Sequence, residues 1–496
     1  MGDEVERTAY SNADRQRYRR KVQQCLDVFG TMLSQSSFEF AHPLAGMEIE
    51  CNLVDDGYRP AMSNRGVLEA INDPTYQTEL GAFNIEFNVP PRPLAGRSGL
   101  ELEAEVRASL NAAEASARAD GARIVLIGIL PTLMPEHLAG KWMSDSTRYA
   151  ALNDSIFSAR GEDIVIDIDG PEPLKLQSAT IAPESACTSM QLHLQVSPED
   201  FADNWNAAQL LAGPQLALGA NSPYFLGHQL WAESRIEVFT QATDTRPAEL
   251  QAQGVRPRVW FGERWITSIF DLFEENVRYF PSLLPEVSDE DPVAELVAGR
   301  TPHLPELRLH NGTVYRWNRP VYDVVQVNGV YRPHLRVENR VLPAGPTVVD
   351  MLANSAFYYG VLRTVSRKDR PLWTRMSFAA AHANFQQAAR HGMNARLYWP
   401  ELGEVTTEEL VLRQLLPMAY DGLAEWGVAA DARDRFLGVI EGRAKTGRNG
   451  AAWQVATVRA LEDGGMTRPA ALVEMLRRYC EHMHSNEPVH TWELPS

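Results

Sequence analysis

The sequence has few cysteines, and their spacing argues against the common cysteine-based sites. The chain contains 496 residues and only four cysteines, Cys25, Cys51, Cys187 and Cys480. No two of them form a CxxC pair, so neither a disulfide framework nor a cysteine-built zinc site is expected. Cys51 and Cys187 have apolar or small neighbours, which is typical of buried thiols.

Long hydrophobic runs are missing as well. The apolar stretch ARIVLIGIL is far shorter than the roughly 20 residues that a membrane-spanning helix needs. The opening stretch MGDEVERTAYSNADRQRYRR is polar and contains no apolar core of a secretion signal. These absences predict a cytoplasmic protein with no membrane partner.

Three short catalytic motifs are also absent from the sequence. It has no GxxxxGK[ST] loop, no GxGxxG after a strand and no GxSxG turn. Hydride transfer and serine hydrolysis therefore lose support. A bound nucleotide would have to be held by metal ions, arginines and the surface of a sheet.

Positive charge is scarce relative to negative charge. The chain has 47 Lys and Arg against 64 Asp and Glu, a net charge of −17. A nucleic-acid-binding protein is more often basic, so no DNA or RNA partner is expected. The 44% hydrophobic residues are typical of a globular protein. An acidic metal site and a merely solvated acidic surface fit this balance equally well.

The order of strand-like and helical patterns predicts an α+β protein. Strand-like stretches alternate with amphipathic helices as far as RLYWPELGEV, after which the patterns are almost wholly helical. We therefore predict a catalytic body over residues 1–400 and a helical C-terminal extension over residues 401–496. Thr406 or Thr407 is expected to cap the first helix of this extension.

Two further patterns in the body make specific predictions. The stretch RIVLIGILP is nearly all apolar, which predicts a strand buried on both faces. The stretch NWNAAQLLAGPQLALGA is helical by pattern, and its proline predicts a break.

Four strand-like stretches share an unusual polar face. They are GMEIECNLV, AFNIEFNVP, SMQLHLQVS and HLRVENRVL. Apolar side chains occupy alternate positions, which places the remaining side chains on the opposite face of each strand. That face carries Glu48, Glu50, Glu86, Gln191, His193, Arg336, Glu338 and Arg340. For any single strand a solvated face is an equally good interpretation, although solvated faces usually favour Thr, Lys and Ser.

Neighbouring strands would bring these acids together. Carboxylates at close range repel each other and raise each other's pKa, and a bound cation removes that cost. Mg²⁺ and Mn²⁺ prefer oxygen ligands and keep positions open for phosphate. Arg336 and Arg340, beside Glu338, would supply the positive charge that meets a transferred phosphoryl group.

Several segments together resemble the glutamate–cysteine ligase and carboxylate–amine ligase family, whose catalytic domain is related to glutamine synthetase. The segments are GMEIE, TELGAFNIEFNVPP, QLHLQVS, ALGANSPYFLG and LRVENRVLPAGPTVVDMLANSAFYYG. Each is weak alone, but their order from Gly46 to Gly360 is fairly specific. The resemblance implies a glutamine synthetase-like catalytic fold, a curved, mostly antiparallel sheet that forms a funnel with helices outside.

The same resemblance implies a reaction and its partners. ATP phosphorylates a substrate carboxylate, and an amine then attacks the acyl phosphate to give an amide. The nominal activity is glutamate–cysteine ligase, a step of glutathione biosynthesis, with ATP and Mg²⁺ or Mn²⁺ as cofactors and amino acids as substrates. The sequence names neither the amine nor the oligomeric state.

Roles for individual residues follow from the resemblance. The metal ligands would be Glu48, Glu50, Glu79, Glu86, His193 and Glu338. Arg340, Glu338 and Glu86 would be catalytic, and His193, Gln191 and Arg336 would contact the nucleotide. Arg235, Asn221 and Ser222 would bind the amino-acid substrate.

Some matches leave alternatives open. The match of Glu79 rests on spacing, and either Gln191 or His193 would reach the metal. In HNGTVYRWNRP, Arg316 and Arg319 either hold an anion or stack on Trp317.

At the level of function the alternatives are a ligase of another amine or carboxylate, such as a small peptide or a polyamine, and a non-catalytic nucleotide-binding relative. The remaining interpretation is a structural protein in which the polar strand faces are merely solvated.

Overall fold

Helices account for more of the described chain than strands do. The computed structural model describes residues 5, 7–36, 38–40, 43–367 and 369–494. The α-helices are α1 Asn12–Gln35, α2 Asn64–Ile71, α3 Ser98–Ala119, α4 Thr147–Arg160, α5 Phe201–Gly219, α6 Arg235–Ala242, α7 Ala248–Ala252, α8 Ile269–Tyr279, α9 Pro292–Val297, α10 Pro305–Asn311, α11 Val348–Ser366, α12 Phe378–His391, α13 Thr407–Leu410, α14 Leu416–Glu425, α15 Ala430–Thr446, α16 Gly450–Asp463 and α17 Arg468–Ser485.

The strands are shorter and lie mainly in the first 340 residues. They are β1 Ala45–Val54, β2 Tyr76–Thr78, β3 Asn84–Arg92, β4 Arg123–Val125, β5 Ile164–Ile168, β6 Leu174–Ser178, β7 Met190–Val196, β8 Tyr224–Phe225, β9 His228–Gln229, β10 Val259–Trp260, β11 Tyr315–Arg316, β12 Asn318–Val327, β13 Val330–Asn339, β14 Arg396–Trp399 and β15 Gly403–Thr406.

One seven-stranded sheet organises the body. Its strand order is β12–β13–β7–β1–β3–β2, and β4 pairs with the end of β1. Every pairing within it is antiparallel. The sheet curls into a half-barrel with helices around it, which confirms the predicted α+β fold. The four strands with polar faces, β1, β3, β7 and β13, are neighbours in this sheet.

Apolar side chains hold the outer face of the sheet against helices. Ile49, Ile85, Leu192 and Val337 are fully buried there. From α11, the Tyr359 hydroxyl donates hydrogen bonds to the backbone carbonyls of Gly46 and His193. The alternation of side chains thus gives one face to the core and leaves the other face to the site.

Two local predictions differ from the structure. Only Arg123–Val125 of the apolar stretch forms a strand, because side chains satisfy the following backbone instead. The Tyr479 hydroxyl donates to the Leu126 carbonyl at 2.7 Å, and the Asn52 amide donates to the Ile127 carbonyl at 3.1 Å.

The predicted break at the proline of the buried helix is also wrong. Helix α5 is continuous, with Pro214 inside it. The helix packs along α11 and α12. Tertiary burial therefore outweighs the cost of a missing backbone donor.

The C-terminal helices share the core of the body. A β14–β15 hairpin lies at the predicted boundary, and Thr406 caps α13 by accepting from the Glu409 N–H, as predicted. Buried residues of α15 to α17 belong to the same hydrophobic cluster as the sheet. The division of the chain near residue 400 stays a prediction. Among the described residues, no helix is long and apolar enough to cross a membrane.

Candidate active site

Two neighbouring cavities lie over the polar face of the sheet. They measure about 140 Å³ and about 150 Å³. Both are lined by Glu48, Arg148, Gly312 and Arg319. The first cavity is bounded by the acids of β1 and β3. The second is bounded by polar side chains of β7, β12 and β13. Adjacent cavities with shared walls suit a reaction between two bound molecules.

Three carboxylates converge in the first cavity. The β1–β3 register pairs Glu50 with Glu86, and Glu79 follows β2, whose Gln77 also pairs with Glu86. One oxygen from each carboxylate lies within 4.8 Å of the others. We call Glu50, Glu79 and Glu86 the acid triad. The triad offers oxygen donors alone, which is the ligand chemistry of Mg²⁺ and Mn²⁺.

The electrostatics of the acid triad favour a bound cation. Burial, followed by the charges of Glu86 and Glu50, raises the pKa of Glu79 well above its ordinary value. Burial and the charge of Glu86 also raise the pKa of Glu50, although Arg340 opposes them. A divalent ion would relieve this repulsion. The residues present therefore fit a metal site.

A second polar group surrounds His193. Its Nε2 lies 3.0 Å from an Oε1 of Glu48, and the β7–β13 register pairs His193 with Glu338. Burial opposes ionisation of Glu48, but the neighbouring imidazole lowers its pKa to about 2. Neither ring nitrogen of His193 makes a directed hydrogen bond within the part of the chain that the structure describes.

Two arginines bind the carboxylate of Glu338. Arg340 Nη1 donates to Glu338 Oε1 at 2.7 Å, and Arg319 Nη2 donates to Glu338 Oε2 at 2.8 Å. Although burial opposes it, this pairing holds the pKa of Glu338 well below its ordinary value. Glu338 and Glu50 likewise raise the pKa of Arg340 despite its burial. Arg340 thus carries its positive charge into the first cavity in a fixed orientation.

The structure places Gln191 and His193 in different surroundings. Gln191 donates to Glu50 at 2.9 Å and accepts from Arg340 at 2.9 Å, so both ends of its amide are engaged. His193 faces the second cavity, where its Nε2 lies close to Glu48 and its Nδ1 has no hydrogen-bond partner among the described residues. Arg336 lines that second cavity too, where it lies 3.5 Å from Asp323.

The predicted substrate residues separate into two positions. Arg235 lines the first cavity, and its guanidinium donates to Glu233 at 3.0 Å and to the Val341 carbonyl at 2.6 Å. Asn221 and Ser222 are fully buried and are absent from the described residues that line either cavity. Their side chains bond within the protein, so the structure gives them a supporting position behind the wall.

The two arginines around Trp317 also have different positions. Arg316 is buried, donates to Glu275 at 2.9 Å and lies 4.7 Å from the ring centre of Trp260. Arg319 lines both cavities instead. Tyr315, Trp317 and Arg319 share one parity along the chain, so alternation alone would have separated Arg319 from Arg316.

Several lining residues were not identified from the sequence. They are Arg148, Tyr149, Glu184, Phe239 and Tyr315. Arg148 and Tyr149 lie on α4 and Glu184 lies on a 3-10 turn, Ala182–Ala186, so none of these three belongs to an alternating strand. Only Tyr315, which shares the parity of Trp317, had a usable sequence signal.

The tail motif GRAKTGRNGAAWQ lies away from both cavities. Arg443 donates to Asp350 at 2.7 Å, and Asn449 caps α16. The first of these contacts joins α15 to α11 of the body.

Comparison with known families and structures adds independent information. A model of glutamate–cysteine ligase family 2 matches residues 44–482. No curated protein matches the chain.

Two solved structures resemble the chain over most of its length. One is a glutamate–cysteine ligase from Francisella tularensis in complex with AMP, with a TM-score of 0.56, 13% identity, and coverage of 92% of this chain and 91% of that one. The other is a bifunctional glutathione synthetase from Pasteurella multocida, with a TM-score of 0.50, 11% identity, and coverage of 93% of this chain and 55% of that one. At these identities the similarity concerns the fold.

Proposed function

The chain belongs to glutamate–cysteine ligase family 2 and is an ATP-dependent ligase, and from that premise we propose that it joins L-glutamate to L-cysteine. The products would be γ-glutamylcysteine, ADP and phosphate. The observation that carries this proposal is the acid triad facing the same cavity as Arg340. Oxygen ligands for divalent ions beside a fixed guanidinium are the parts that phosphoryl transfer requires.

The acid triad would hold Mg²⁺ or Mn²⁺, and Glu48 with His193 would supply further ligands next to it. A bound divalent ion neutralises charge while a phosphoryl group is transferred. His193 is supported over Gln191 as the ligand, because its Nδ1 has no hydrogen-bond partner among the described residues whereas both ends of the Gln191 amide are engaged. Gln191 and Glu338 instead orient Arg340.

The remaining predicted residues receive roles around the acyl phosphate. Arg340 would contact the transferred phosphoryl group, because a charge-assisted hydrogen bond stabilises the negative charge that develops there. Arg336 would contact the nucleotide from the second cavity. The AMP in the Francisella tularensis structure supports a nucleotide site in this fold. Arg235 would bind the carboxylate of the amino acid.

The location of the protein and the role of its C-terminal extension belong to the same proposal. A cytoplasmic location fits a ligase that consumes ATP. The C-terminal extension over residues 401–496 would support the catalytic body rather than supply ligands, since its described contacts are with the core.

The test is ADP release by purified protein with ATP and Mg²⁺. We expect turnover with glutamate and cysteine together and little with glutamate alone. Glu86→Gln removes one ligand charge and should lower turnover by at least about 100-fold while the fold is retained. Glu404→Gln, at an exposed glutamate of the β14–β15 hairpin, is the matched control and should leave turnover unchanged.

Other outcomes have distinct meanings. Turnover that requires a different carboxylate or amine would keep the mechanism and change the substrate. No turnover with any pair, together with no ATP binding in a calorimeter, would contradict the proposal. Equal turnover in Glu86→Gln and the wild type would remove the acid triad from the mechanism.

A further inference from the structure

Glu184 is a buried carboxyl group that the roles above do not use. It lies on the 3-10 turn between β6 and β7 and lines the first cavity together with the acid triad. Its Oε2 is buried and has no hydrogen-bond partner in the described part of the chain. Burying an unpaired carboxylate oxygen is costly, so this position needs an explanation beyond folding.

Among the described residues, the surroundings of Glu184 supply no hydrogen-bond partner to its Oε2. It lies outside the group of acids whose oxygens converge, so it is not placed as a metal ligand among the described residues. The guanidinium of Arg340 is bonded to Glu338 and Gln191, and that of Arg235 to Glu233 and a backbone carbonyl. The carboxyl is therefore available to a cation that enters the cavity.

The cavity around Glu184 suits an organic ammonium group. Phe239, Tyr315 and Trp317 line the same cavity and offer aromatic surface, to which ammonium groups are attracted. The charged and titratable groups that act on Glu184, or on which it acts, are Glu50, Arg340, Tyr149, Cys187 and Tyr315. Glu50 and Arg340 are groups of the proposed reaction centre, so an ammonium at Glu184 would lie beside the acyl phosphate.

We propose that Glu184 binds the ammonium group of the acceptor amine and accepts one of its protons when the amine attacks. This inference rests on the proposed ligase function and extends it to the second half-reaction. It makes Glu184 a catalytic residue, in contact with the acceptor substrate.

The chemistry of this step balances without a further reactant. The acceptor enters as R–NH₃⁺, and the carboxylate of Glu184 takes one proton to leave R–NH₂. The nitrogen lone pair forms the C–N bond to the acyl carbon, and the C–O bond to phosphate breaks with its electron pair on the leaving oxygen. A second proton leaves the nitrogen with the phosphate, and the product is an amide.

The acid–base behaviour of Glu184 agrees with this role. Burial, followed by the charge of Glu50, raises the pKa of its carboxyl to about 8. A general base works best when its pKa lies near the operating pH.

Hydroxylamine separates the two half-reactions. It is neutral at neutral pH and attacks an acyl phosphate without prior loss of a proton, forming a hydroxamate. Glu184→Gln is isosteric and replaces a buried ionisable group by a neutral one. We therefore expect the variant to fold like the wild type, which circular dichroism measures. With ATP, Mg²⁺, glutamate and hydroxylamine, we expect hydroxamate formation by Glu184→Gln within about twofold of the wild type. With cysteine, kcat should fall by roughly 100- to 10,000-fold.

The pH profile gives a second readout. The rate of amide formation by the wild type should level off above the pKa of the base, whereas that of Glu184→Gln should keep rising as the free amine accumulates. Glu184→Asp, which keeps the carboxyl on a shorter side chain, should recover part of the cysteine rate. Glu404→Gln is again the control.

Three results would overturn the assignment. Full cysteine ligation by Glu184→Gln would remove the residue from the reaction. Equal loss of hydroxamate and amide would place Glu184 in carboxylate activation or in structure instead. If the wild type formed neither product with any substrate pair, the ligase proposal itself would fail and this inference with it.

Discussion

At the residue scale, metal binding and folding favour different protonation states of Glu79. A bound cation favours the ionised carboxylate, whereas burial in the metal-free protein favours the neutral acid. Its raised pKa means that the folded, metal-free protein binds more protons than the unfolded chain between the ordinary carboxyl pKa and the raised one. The contribution of this group to stability therefore falls as the pH rises. A bound cation reverses that trend by stabilising the ionised form.

We predict that Glu79→Gln stabilises the metal-free protein. The free energy of unfolding should rise by about 1–3 kcal/mol near pH 8, and the gain should shrink near pH 5. Urea denaturation at the two pH values measures it. Saturating Mg²⁺ should stabilise the wild type but not the variant. A variant that is less stable at both pH values would show that Glu79 supports the fold by another route.

The acids on the long strands were predictable from alternation, whereas Glu184 on its turn was not. Glu48, Glu50 and Glu86 were placed on one face because alternation fixes the side of a strand on which each lies. Glu184 has no such constraint, since only the packing of its turn brings it to the cavity. Asn221 was placed by resemblance, and its burial behind the wall depends on contacts with Tyr479 and Gln454 from the distant extension.

At the scale of elements, the C-terminal extension meets the body at a close helix crossing. A Cβ at Gly360 of α11 would overlap the Ala419 carbonyl oxygen of α14. A Cβ at Gly422 would lie closer still to the Gly360 carbonyl oxygen. The two helices can approach this closely only because both positions lack a side chain.

We predict that Gly360→Ala destabilises the protein by about 1–3 kcal/mol or more, because the obstructing atoms are backbone and the helices must separate. Chemical denaturation measures the loss. Gly438→Ala is the matched control, since a Cβ in that part of α15 meets nothing within 4 Å. It should be neutral or stabilising by about 0.5–1 kcal/mol. Equal effects at the two glycines would contradict the close crossing.

The strand pattern predicted which elements exist better than how they pair. The local sequence does not show that β1, β3, β7 and β13 are neighbours in the sheet, because strand pairing and register depend on contacts between distant segments. The shortened β4 shows the same limit. The apolar pattern predicts a longer strand. After Val125, however, Asn52 and Tyr479 supply the hydrogen bonds to the backbone carbonyls that a neighbouring strand would otherwise provide.

At the scale of the whole molecule, body and extension are joined by a buried ion pair and a common core. Arg443 of α15 and Asp350 of α11 are both almost fully inaccessible to solvent and lie 2.7 Å apart. Removing the extension would take from the carboxylate of Asp350 both this arginine and the Val489 N–H that it accepts from. It would also expose apolar surface of α5 and α11.

We therefore predict a single cooperative unfolding transition for the full chain. Scanning calorimetry should give a calorimetric enthalpy close to the van't Hoff enthalpy. ATP with Mg²⁺ should shift the whole transition upward, since ligand binding to the body stabilises everything that unfolds with it. Two separate transitions, only one of them responsive to ATP, would instead establish an independently folding extension.

The shared strands also constrain how this protein can acquire new substrates in evolution. On β1, β3, β7 and β13 the core and the acids occupy opposite faces of the same backbone, so an inserted or deleted residue would exchange the two faces at once. Length variation is therefore tolerable only outside these strands. The 3-10 turn that carries Glu184 and the segment that carries Tyr315 and Trp317 lie outside them and line the first cavity. Directed evolution for a different amine should begin with these two segments and leave the strands unchanged.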